Sequence, residues 1–131
     1  MSIPTTVPAL DKNQEMPEPK GHVIGFVDTQ SECDAIVRDL KSTGLAESSI
    51  LLLSGADGEP LLQRMMSGSL WGETAEDLLA QGVIELSHGH IILVIESPDR
   101  EHALTVANKS MLHGGRGFRF FGGLTDERLT R

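Results

Sequence analysis

Two histidines flank one glycine at His88-Gly89-His90. Imidazole nitrogens ligate zinc, nickel and copper, and two of them at a strand entrance could fill part of a tetrahedral site. His22, His102 and His113 are the other histidines that could join them. No three of these fall into a compact ligand spacing, so ordinary strand-end histidines are the favoured reading and no metal or cofactor is expected. Cys33 is the one thiol. A nucleophilic cysteine needs a neighbouring base and a depressed pKa. Cys33 instead shares a helical stripe with Ile36, Val37 and Leu40, which suits a packed, inert side chain.

Arg116 stands in a glycine-rich stretch, His113-Gly-Gly-Arg-Gly117. Glycines let backbone amides approach an anion, and a guanidinium could pair with it, so Arg116 is a candidate anion contact. The stretch follows a helix C-terminus, the pole that repels phosphate, and a helix stop is favoured. Asp28, Glu32 and Asp34 gather at a helix start, where the positive helix pole accounts for them. Met65, Met66, Leu70 and Trp71 form an apolar group that is either an interaction surface or a cover for a sheet face. No serine sits in a G-x-S-x-G elbow and no acid–base pair is apparent, so no catalytic residue is assigned and an enzyme is not expected.

These side chains need a frame. His22 to Asp28 reads as a first strand, apolar on both faces. Thr29 and Glu32 match a capping box, and Gly44 sits where a left-handed helix end belongs. Ser49 to Ser54 is a second strand, closed by a turn at Gly55-Ala-Asp-Gly58. Leu61, Leu62, Met65 and Met66 suggest a short helix broken at Ser67-Gly68. A second helical stripe, Ala75 to Leu86, contains the unfavourable Gly82. His90 to Glu96 is a third strand. Ser97 as cap and Pro98 at the first helical position start another helix, stopped by Gly114-Gly115. Gly117 to Phe121 alternates like an edge strand.

The element order predicts an α+β fold: a ferredoxin-like βαββαβ sandwich with a four-stranded antiparallel sheet, two crossover helices and a helical insert between strands two and three. The domain runs over 21–124, with the insert at about 59–88. A proline-rich, disordered tail precedes it (1–20) and a polar end follows (125–131). The two crossover helices leave one sheet face open. Because strands one and three are apolar on both sides, residues 59–88, a second subunit or both must cover it, and a homo-oligomer is expected.

The 131 residues suffice for one domain, and 39% are hydrophobic. A net charge of −8 works against nucleic-acid and anionic-membrane partners. The single cysteine, with no leader-like pattern in the first twenty residues, points to the cytoplasm.

Val23-Ile-Gly-Phe-Val-Asp28-Thr29 with Ser31-Glu32, Ser48-Ser49-Ile50 to Leu53, Ala75 to Gly89, Ile91 to Glu96 and Asp99 to Gly115 together resemble the small bacterial general stress protein family over about residues 21–122. That resemblance implies a ferredoxin-like domain and no transferable catalytic residues. Members often carry a long Gly/Ala-rich insert after the second strand, where this chain has its shorter Met-Trp segment. The resulting expectation is a non-enzymatic stress-associated or regulatory module that self-associates and binds a protein or small molecule. The alternative is a PII-like or ACT-like nucleotide or metabolite sensor. Such a sensor would want basic anchors between strands two and three, where only Arg64 lies.

Overall fold

Val23, Ile24, Phe26 and Val27 are fully buried because their strand lies inside the sheet with helices on both sides. That strand, β1 (His22–Val27), pairs antiparallel with β3 (Ile91–Glu96) and β4 (Arg116–Phe121). β2 (Ile50–Leu53) extends the sheet beyond β3, and β5 (Asp126–Arg128) extends it beyond β4. The strand order is β2-β3-β1-β4-β5 and every pairing is antiparallel. This computed structural model describes residues 16–17, 19–67, 73–122 and 126–129. The α+β class and the four expected strands are present. β5 is an addition, and it makes β4 an inner strand where an edge was expected.

Alternation sorts β1 onto two cores. Val23 and Val27 face α1 (Gln30–Ser42) and α4 (Arg100–Met111), packing with Ile36, Val37, Leu40 and Val106. Ile24 and Phe26 face α2 (Gly55–Met66) and α3 (Glu73–Ser87), packing with Leu61, Leu62, Met65 and Leu78. Each fully buried side chain of this size contributes about 1.5–3 kcal/mol, so neither face could be left wet. The insert therefore covers the face that the crossover helices leave open. No second subunit is required for that task.

Local chemistry agrees in part with the sequence reading. Thr29 caps α1, its hydroxyl accepting from the Glu32 amide at 3.1 Å. The Glu32 carboxylate returns to the Thr29 hydroxyl at 3.0 Å, a variant of the expected capping box. Three readings need correction. Gly55–Gly58 is the first turn of α2, not a closing turn. Its glycines misled, but Gly58 lets the helix sit against Leu86, whose Cδ2 would lie 2.9 Å from an added Cβ. The cap of α4 is Asp99, which accepts from the His102 amide at 2.8 Å, whereas Ser97 is buried and bonds His102 Nδ1 at 2.8 Å. Gly82 is no weakness in α3: an added Cβ would overlap Leu62, so the missing side chain is what lets α2 and α3 meet.

Candidate functional site

Phe118 and Phe120 point to the α1–α4 side of the sheet. Strict alternation would send Arg116 the same way. The pairing of β1 with β4 is interrupted between Ile24 and Phe26, where two residues of β4 stand opposite Gly25. Gly117 takes the left-handed conformation there, φ +67°, which marks a glycine bulge. The bulge turns Arg116 to the opposite side, opposite Phe26 and toward α3.

Arg116 meets Glu85 from the last turn of α3. Its Nη1 donates to Glu85 Oε2 at 2.9 Å and its Nη2 to Oε1 at 2.5 Å, a two-pronged pair. Nε donates to Asp28 Oδ1 at 3.1 Å, and Nη2 also reaches that oxygen. His90, just before β3, places Nδ1 2.6 Å from Glu85 Oε1 and 3.6 Å from Asp28 Oδ1. Side-chain exposure falls from 49% at Asp28 through 35% at Arg116 and 24% at His90 to 13% at Glu85, so Glu85 is the sheltered centre. Hydrogen bonding to Arg116, and secondarily to His90, holds the Glu85 carboxyl below the usual carboxylate range despite its burial. Glu85 in turn raises the Arg116 pKa above its ordinary value, with Asp28 assisting.

Donor atoms of Asp28, Glu85 and His90 lie within 4.8 Å of one another. The guanidinium donates to the Asp28 and Glu85 carboxylates, and its Nη2 lies 3.2 Å from His90 Nδ1, so these inward atoms already surround a cation. Arg116 is therefore not the open anion contact that its glycine-rich setting suggested: two carboxylates of its own chain take it. Asp28 likewise serves Arg116 rather than only the helix pole.

The remaining candidates are dispersed. His88 is exposed, its ring edge-on to His90 with centroids 5.7 Å apart. His113 donates from Nε2 to Asp39 Oδ2 at 3.0 Å, tying the loop after α4 to α1, and Lys109 reaches the same carboxylate at 3.5 Å. Cys33 is buried, and burial pushes its thiol up to about 12, with Asp34 adding to the rise. Met65 and Met66 are 2% and 5% exposed in the α2–α3 core, so they cover the sheet and offer no open surface. Leu70 and Trp71 lie outside the described residues.

Ile84, Met111 and Leu112 are the exposed large apolar side chains among the described residues. Ile84 lies in the last turn of α3, and Met111 and Leu112 at the end of α4. Those helices lead into the first residues of β3 and β4, which pair with the last residues of β1. All three side chains thus stand at the end of the sandwich that carries Arg116. At the opposite end, a shallow cleft of about 250 Å³ between α1 and α4 is lined by Leu40, Thr43, Leu45, His102 and Val106 among others. No described helix is long and apolar enough to cross a membrane.

Sequence reasoning found Arg116 and His90 but missed Glu85, which looked like one more polar residue on a helix. No family model, curated protein or solved structure matches the chain.

Proposed function

We propose that this chain is a non-enzymatic regulatory module with a ferredoxin-like core, acting by self-association through the end that carries Arg116. The strand order β2-β3-β1-β4, with α1 and α4 on one face, supports the ferredoxin-like assignment. The carrying observation is that Ile84 on one helical layer and Met111 and Leu112 on the other stand exposed at the same end of the sandwich as the half-exposed pair Asp28 and Arg116. Exposed apolar side chains at an end that also carries one charge of each sign suit an isologous contact, in which each copy offers the same end to the other. With both sheet faces filled, association is left to edges and ends. The stress association rests on the sequence resemblance over residues 21–122.

Light scattering on the eluting peak, from micromolar to several hundred micromolar, tests this. A mass rising to that of a dimer is expected, and Leu112→Asp should hold the chain as a monomer. A wild-type monomer at the highest concentration overturns the proposal. The cleft between α1 and α4 favours a second reading, a PII-like or ACT-like small-molecule sensor. Its lining brings no Lys or Arg to hold a phosphate, which weighs against nucleotides. A thermal-shift screen of nucleotides and metabolites decides this, because a ligand near saturation raises the melting temperature by several degrees.

A further inference from the structure

His90 has a use for its outward nitrogen. Both Glu85 oxygens accept from Arg116, and the 2.6 Å contact of Oε1 to His90 Nδ1 is a bond in which the imidazole donates. With Nδ1 donating to Glu85, the ring nitrogen left to meet a ligand is Nε2. A carboxylate that fixes a histidine in this way is the usual outer partner of a metal-bound imidazole. Here the carboxylate is itself locked by two hydrogen bonds from Arg116. The second imidazole is close: the centroids of His88 and His90 are 5.7 Å apart, with the rings inclined at 67°. With metal–nitrogen bonds of about 2.0–2.1 Å, two imidazoles on one ion place their ring centres roughly 5–6 Å apart. His88 is exposed, so an ion can reach the pair from solvent.

We propose that His88 and His90 chelate one borderline divalent transition-metal ion of the zinc, nickel or copper class, with Glu85 as the positioning carboxylate and Arg116 holding Glu85 in place. The site is separate from the inward donors that surround the Arg116 guanidinium. Hard ions such as Mg²⁺ and Ca²⁺, which want oxygen ligands, are excluded by the same chemistry. Two protein ligands leave positions for water or an incoming group, so the ion is exchangeable rather than structural.

Isothermal titration of the full chain with Zn²⁺ alone tests the proposal, after stripping by chelator and desalting. One ion per chain with micromolar affinity is expected, and no heat from Mg²⁺. His88→Ala and His90→Ala should each weaken binding at least tenfold. His88 is exposed, so its variant keeps the wild-type melting temperature. The discriminating variant is Glu85→Gln, which should weaken Zn²⁺ about 10- to 100-fold. Two histidines that merely happen to be adjacent would not respond to it, and circular dichroism checks that the variant is folded. His113→Ala should bind as wild type. Millimolar or weaker binding, binding that survives His88→Ala, or affinity indifferent to Glu85→Gln would each overturn the site.

Discussion

Arg116 and Glu85 form the two-pronged pair that fastens the second helical layer to the sheet, with Nη1 donating to Oε2 at 2.9 Å across 31 residues of chain. Removing one member of a sheltered pair costs more than removing an exposed one, because the survivor keeps its desolvation without its partner. Glu85→Ala should therefore lose about 1–2 kcal/mol in urea unfolding. Asp28→Asn, on the half-exposed side, should lose no more than about 0.5 kcal/mol. Equal losses would show that Glu85 is not the centre of the cluster.

Gly25 faces the ring of Phe118, and an added Cβ would overlap that ring. Phe118 is fully buried and cannot swing away. Gly25→Ala should cost about 3 kcal/mol, the upper end of what overpacking exacts, with an unchanged denaturant slope. It should also disturb the bulge that aims Arg116. A substitution tolerated within 0.5 kcal/mol would mean that the bulge relaxes freely, contrary to the packing described.

The two-faced sandwich was legible because β1 and β3 carry apolar residues at odd and even positions alike, and that pattern has one physical solution. Thr29, Gly44 and the buried stripe of α1 were legible for similar local reasons. The Arg116 cluster was not. Asp28 and Arg116 are 88 residues apart, and their meeting depends on β4 lying beside β1. It depends also on a bulge that reverses the side on which Arg116 emerges. Neither strand neighbourhood nor a one-residue change of register is written in composition or periodicity. The first turn of α2 was lost differently: Gly55 and Gly58 oppose helix locally, and contact with Leu86 outweighs that preference.

Cys33 should be chemically silent until the chain unfolds. Its thiol is pushed up to about 12 by burial, so only about one molecule in 10⁴ is thiolate at pH 8, and none of its surface is exposed. Ellman's reagent should give negligible colour with the native protein over an hour and one equivalent in 6 M guanidinium chloride. Rapid native labelling would contradict its place in the α1–α4 core. Cys33→Ala should remove packing rather than reactivity, at a cost of about 1 kcal/mol.

Asp39 links α1 to the end of α4, and it gives the protein a predictable acid limb. The His113 hydrogen bond lowers its pKa most and Lys109 adds attraction, while desolvation opposes both. The folded pKa is thus below the unfolded one, so the folded state binds fewer protons over that interval. The linked stability is complete above the unfolded value of about 4 and disappears as pH falls through the lower folded value. Asp39→Asn lacks that stability, so its urea midpoint should lie below that of wild type at pH 7 and converge with it as pH falls through the folded value. Glu85, also depressed, keeps a residual slope in the variant, which separates the two contributions. Salt at 1 M should narrow the pH 7 gap, because Asp39 and its partners are partly exposed and the attraction between them is screened. A constant difference between wild type and variant from pH 7 to pH 2.5 would show that Asp39 acts through packing, not through its charge.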